Sequence, residues 1–211
     1  MKPMGLLRCA CLAFSLGGCV LLGYTQATRF YMLNPLTHSD IAPPSAVEPP
    51  QAQQRVSVAL APVAIPRYLD RPQIVTRISA NELNLAEFDQ WAEPLSDNVT
   101  RVLAENLTRL LSTHGIDVLS EPSAHRSAYR LGVTLRRFER GADNECVLQA
   151  NWTLVEEGDP SGWVENAFDV RIPLDVPGYE AMVGAMSRAL GALSRDIALR
   201  LRAAVMHGDA G

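Results

Sequence analysis

Residues 129–154 read YRLGVTLRRFERGADNECVLQANWTL, and their rhythm decides the fold. Tyr129, Leu131, Val133 and Leu135 alternate with Arg130, Gly132, Thr134 and Arg136. Beyond Gly141-Ala142-Asp143-Asn144 the alternation resumes in Cys146, Leu148, Ala150, Trp152 and Leu154. A period of two sends successive side chains to opposite faces of a strand, so each run carries one core face and one wet face. The Gly/Asp/Asn tetrad between them has turn chemistry. A second turn, Gly158-Asp159-Pro160-Ser161-Gly162, leads into Val164, Phe168, Val170 and Ile172. The expectation is a three-stranded antiparallel meander with Arg, Glu, Gln and Asn on its outer side. Cys146 lies on the core face and reads as an inert buried thiol, because reactive thiols need a partly exposed electropositive setting.

On both flanks the period changes to that of a helix. Leu95, Val99, Val102, Leu103, Leu107, Leu110 and Leu111 share one face between Pro94 and Thr113,. Asp97–Arg101 and Glu105–Arg109 stand at i,i+4 spacing, and Gly115 supplies a stop,. Tyr179, Met182, Met186, Leu190, Leu193, Ile197 and Leu201 form a second stripe reaching towards Met206, with Ala181, Ala185, Ala189 and Ala192 beside it. Met182 and Met186 are expected to pack in the core rather than line a ligand groove.

Shorter strands precede the first helix. Thr28 to Leu33, Val56 to Leu60 and Ile74 to Ile78 fit strands, and Asn81 to Leu85 fits a hairpin partner for the third,. Pro62 marks an edge or bulge, after which Val63 and Ile65 shift the apolar face by one residue,. Ile116 to Leu119 starts a strand that Pro122 ends. The predicted architecture is an α/β (α+β) sandwich, a mostly antiparallel sheet with two long helices packed on one face.

Composition narrows function. The chain has 211 residues, a net charge of −4, and one lysine (Lys2) among its 19 basic residues. Mild acidity disfavours a nucleic-acid partner. His38, His114, His125 and His207 show no ligand spacing,. There is no G-x-S-x-G elbow, phosphate loop or dinucleotide fingerprint. Glu156, Glu157 and Asp159 read as a solvated turn, since a calcium loop needs its full ligand pattern. The expectation is a non-enzymatic protein with no metal. A hydrolase would require His114 or His125 to meet a serine and a carboxylate in a cleft.

Two segments suit a partner. Pro66-Arg67-Tyr68-Leu69-Asp70-Arg71-Pro72 places an aromatic and arginines in one loop, the residue types that anchor interfaces,. Phe88 to Pro94 presents Trp91 ahead of a helix. Tyr68, Leu69, Arg71 and Trp91 are the partner-binding candidates. The bland alternative is a rigid turn packed on its own core, with Trp91 as its lid.

The amino terminus reads as an address. Lys2 and Arg8 precede a short apolar run from Cys9 to Leu16, too short for a bilayer span,. Leu16-Gly17-Gly18-Cys19 resembles the lipobox of bacterial lipoproteins. That resemblance implies cleavage after residue 18, diacylglycerol on the Cys19 thiol and an acyl chain on its new amino group. Two or more chains give stable anchoring where one does not. Val20 is not the aspartate that commonly retains such proteins at the inner membrane, so the periplasmic face of the outer membrane is expected. The organisation is a signal peptide over 1–18, a lipid-anchored tether over 19–27, one domain over 28–207 and a tail over 208–211. A proline-rich loop occupies 34–54,. The mature chain would hold 193 residues, no lysine and a net charge of −6.

Larger motifs carry a family likeness. Phe30-Tyr31-Met32-Leu33, Tyr68-Leu69-Asp70-Arg71-Pro72-Gln73-Ile74-Val75 and Asn81-Glu82-Leu83 to Trp91-Ala92-Glu93-Pro94-Leu95 are three of them. Arg101-Val102-Leu103-Ala104-Glu105-Asn106-Leu107 and Pro177-Gly178-Tyr179 with the last helix complete the set. Together they resemble the PqiC-like ABC-type transport auxiliary lipoproteins. The resemblance implies a subunit of an MCE-type intermembrane lipid transport system, with an MCE tunnel protein and its permease and ATPase as partners. It is compatible with a homo-oligomeric ring. Only Cys19 transfers as a defined functional position. The competing reading is an envelope assembly lipoprotein resembling the lipopolysaccharide-assembly lipoproteins.

Overall fold

The structure, a computed structural model, describes residues 26–41, 55–120, 127–158 and 163–208. The signal segment 1–18, Cys19, the tether up to residue 25, residues 42–54 of the proline-rich segment, Pro122, His125, turn residues 159–162 and tail residues 209–211 lie outside them.

The meander forms as its alternation requires. β6 (Tyr129–Arg140), β7 (Glu145–Glu156) and β8 (Trp163–Pro173) pair antiparallel, β6 with β7 from Tyr129↔Glu156 to Arg140↔Cys146. Leu131, Leu135, Cys146, Leu148, Ala150 and Trp152 are buried on the helix side. Burial pushes the Cys146 thiol up to about 12, so it stays protonated and inert,.

The other strands hang on the free side of β6, in two arms. Near its start, β2 (Val56–Leu60) runs parallel to it and carries β5 (Ile116–Ser120) outside. Near its end, β3 (Gln73–Arg77) meets it at Thr76↔Arg140 and pairs antiparallel with β4 (Leu83–Trp91). β1 (Arg29–Tyr31) lies parallel against the end of β4. Residues 61–64 bridge the arms, where Ala61 and Ala64 donate their N–H groups to Leu131 and Val133. This is the bulge expected at Pro62. The sheet has eight strands, and its paired length is mostly antiparallel. β4 is longer than the expected hairpin partner: Phe88 to Trp91 extend as strand because β1 pairs with them.

α1 (Leu95–Leu111) and α2 (Tyr179–Gly208) cover one face. Leu95, Val99, Val102, Leu103, Leu107 and Leu111 are buried as their spacing predicts, each stabilising by about 1.5–3 kcal/mol. Met182 and Met186 are core residues, each 1% exposed. α1 tightens into a single 3-10 turn over Ser112–His114, and Gly115 ends it at φ +70, a left-handed value that glycine adopts without steric cost,. Of the two expected i,i+4 pairs, Glu105–Arg109 forms at 3.4 Å and Asp97–Arg101 does not. Arg101 turns to Glu93 and Glu105 at 2.8 and 3.1 Å, rather than to Asp97.

Candidate interaction site

The chain after residue 28 is bound across the helical layer as a strap. Arg29 and the Tyr31 hydroxyl both reach Asp89 at 2.8 Å, and Asp89 is 5% exposed. Asn98 on α1 accepts the Leu33 N–H at 2.8 Å, and Asn106, two turns on, accepts the Leu36 N–H at 2.7 Å. Asn106 also donates to Ser194 on α2 at 3.0 Å, so one buried amide joins strap and both helices. The Ser187 hydroxyl takes the Asn34 N–H, Arg195 binds the Asp40 carbonyl, and Arg109 binds the Leu36 carbonyl. Leu33 and Leu36 are buried. Leu36 needs Gly191 opposite, where a Cβ would stand 2.7 Å from its Cδ2.

Beside the strap, the four candidate residues fall in one corner. The Trp91 N–H donates to the Pro72 carbonyl at 2.7 Å, and the Ala92 N–H donates to the Tyr31 carbonyl at 2.9 Å. Loop 66–72, strand β4 and strand β1 therefore meet there. Within the corner the candidates divide. Leu69 and Trp91, at 2% and 6% exposed, belong to the core and offer a partner almost no surface. Trp91 is the lid that its position ahead of a helix suggested. Tyr68 is half-buried, and Arg71 is exposed with no ion pair among the described residues. Asp70 is exposed and pairs with no arginine there either.

Tyr68 is held by a residue that sequence reasoning missed. Its hydroxyl donates to Glu139 Oε2 at 2.8 Å. Glu139 Oε1 accepts from Arg77 Nε at 2.9 Å and Arg137 Nε at 3.0 Å, and Oε2 also accepts the Phe138 N–H at 3.1 Å. The Arg77 guanidinium lies 5.9 Å from the Tyr68 ring centroid, a cation–π distance. Burial by itself would raise the Glu139 carboxyl, but hydrogen bonds from Arg77, Tyr68 and Arg137 outweigh it and hold it below the usual glutamate value,. Burial and the neighbouring carboxylate push the Tyr68 phenol up to about 12. The register shift between Leu135 and Arg137 makes this cluster. A bulge puts two successive residues opposite one, so Arg136, Arg137 and Glu139 all face away from the helices while Phe138 returns to the core. The signal was present in the sequence: after Leu135 the apolar position falls at Phe138 instead of 137.

On the same helix-free face an open groove of about 540 Å³ lies over β6, β7 and β8 beside residues 62–64. Pro62, Ala64, Thr134, Arg136, Thr153 and Glu165 line it. Elsewhere, His114 meets the Thr113 hydroxyl through Nδ1 at 3.1 Å and the backbone of Leu110. No group of three or more His, Cys, Asp or Glu among them could hold a metal ion, and no helix among them is long and apolar enough to cross a membrane.

The comparisons agree with this architecture. The family model of the ABC-type transport auxiliary lipoprotein component matches residues 40–198. Among solved structures, an uncharacterized protein superposes with a TM-score of 0.69 at 23% identity, covering 83% of this chain and 99% of its own. A Xanthomonas campestris protein of family DUF330 superposes with a TM-score of 0.70 at 18% identity, covering 87% of this chain and 100% of its own. At these identities the likeness shows the fold. Among curated proteins, none matches the chain.

Proposed function

The chain belongs to the ABC-type transport auxiliary lipoprotein component family, and from that premise we propose that it is the outer-membrane docking lipoprotein of an MCE-type intermembrane lipid transport system. Cys19 carries the lipid, and the body receives the tip of the MCE tunnel, without catalysing a reaction. The observation that supports this reading is the strap. The segment that leads from the anchor is tied to both helices through Asn98, Asn106 and Ser187. The strap fixes the point on the body from which the tether to Cys19 departs, so the docking surface lies at a set position relative to that point. Tyr68 and Arg71 supply that surface, Tyr68 braced by Glu139 and Arg71 free to pair with an acidic group,.

Pull-down with the MCE protein tests the assignment, using the acylated chain and the Cys19→Ser form side by side. Capture of the MCE protein by the acylated chain is expected. Failure of both forms to associate would overturn the docking role.

A further inference from the structure

The strap also leaves an apolar edge beside the anchor. Along residues 29–33 the side chains alternate. Tyr31 and Leu33 turn inwards, Tyr31 to Asp89 and Leu33 into the core. Phe30 and Met32 turn outwards and are 64% and 43% exposed. Phe30 stands on β1, an edge strand whose one partner among the described residues is β4, and Met32 follows directly after it. Edge strands are ordinarily guarded by charge or proline, and here two large apolar side chains occupy the edge. The Tyr31–Tyr179 ring contact, with centroids 6.4 Å apart, brings the start of α2 to the same corner. Three residues before Tyr179 stands Val176, 59% exposed.

We infer that Phe30 and Met32 insert into the interfacial region of the phospholipid leaflet that holds the anchor. This rests on the lipid-anchor reading of Cys19. The occupant follows from chain length: fully extended, the backbone from Cys19 to Arg29 spans at most about 35 Å, so β1 works within reach of the bilayer. Charge points the same way. Arg29, the basic side chain of β1, is satisfied by Asp89, and the mature chain carries a net charge of −6,. Apolar insertion is then the non-covalent contact that β1 itself offers. The contact fixes which side of the body faces the membrane.

Spin-label depth measurement tests this on the full lipidated protein in phosphatidylethanolamine/phosphatidylglycerol vesicles. Phe30→Cys and Met32→Cys variants receive a nitroxide. Cys146 is buried and stays unlabelled, and Leu199→Cys, at a residue 66% exposed on α2, serves as the aqueous control. Labels at 30 and 32 are expected to collide at least threefold more often with dissolved oxygen, relative to a water-soluble nickel complex, than the label at 199. Equal ratios at all three sites, with the protein floating on the vesicles, would overturn the insertion and leave the anchor reading standing. A wild-type protein that fails to float with vesicles overturns both.

Discussion

Glu139 shows how much a single residue can organise. It is fully buried, yet it is charged because three side-chain donors and the Phe138 N–H converge on it. Removing one partner of such a set costs more than the set contributes, since the rest is left unpaired. Glu139→Gln should lower stability by about 2 kcal/mol, towards the low end for a broken buried pair, because Arg77 and Arg137 are partly exposed and can rehydrate,. Chemical denaturation at pH 7 measures it. The carboxyl is held below its ordinary value near 4.5. The stabilisation is therefore present above that pH and disappears as pH falls through the depressed native value. The wild-type and Glu139→Gln stability curves should converge under acid, and a constant gap would show that the charge contributes nothing. Tyr68 behaves in the opposite sense. Its phenol is raised, so its contribution persists below about pH 10 and is lost as pH rises towards 12,. Arg71 makes no ion pair among the described residues, so Arg71→Glu should leave the melting temperature within about 1 °C, consistent with a surface change below about 0.5 kcal/mol. It should weaken capture of the MCE partner at least tenfold. Unchanged capture would remove Arg71 from the docking surface.

At the scale of elements, the strap and the two helices form one cooperative unit. Asn98 and Asn106 lie two turns apart on the face of α1 that meets the strap, and each is at most 1% exposed. A buried asparagine in mid-helix is destabilising unless its amide is used, and both are used by strap backbone. Asn106→Leu would strand the Leu36 N–H in an apolar setting, while the Ser194 hydroxyl keeps its bond to the Leu190 carbonyl, at a cost of about 1–3 kcal/mol,. Hydrogen exchange at Leu33 to Leu36 should quicken by at least tenfold in that variant, while the β6–β7 amides keep their protection. If both regions loosened together, the strap would be part of the global unfolding unit instead of a local lock. Gly191→Ala should produce the same pattern by pressing on Leu36,.

For the whole molecule, attachment and orientation are separate properties. Family membership makes this a membrane-anchored envelope lipoprotein. The acyl groups proposed on Cys19 supply attachment, and a body of net charge −6 offers no net attraction to anionic lipid,. Cys19→Ser should therefore move the protein from the membrane pellet to the soluble fraction. Retention in the pellet would show that the body holds the membrane by itself. On the proposed reading, orientation comes from Phe30 and Met32 at the corner where β1, β4 and loop 66–72 meet.

Local pattern determined much of this on its own. The meander, both helices, the stop at Gly115 and the inert Cys146 are legible because period and turn chemistry act between neighbours in the chain. The family likeness is legible for the same reason, as short motifs at fixed positions. What only the tertiary structure decided depends on residues far apart in sequence. Asn98 and Asn106 look like ordinary polar positions on a helix until the strap crosses them. Leu69 and Trp91 look like surface anchors until loop 66–72 folds onto the end of β4 and buries them. Glu139 reads as one more outward-facing acid until a one-residue bulge and the Tyr68 loop enclose it. In each case the deciding term is desolvation by a distant segment, and a side chain's own neighbours in sequence carry no record of what will cover it.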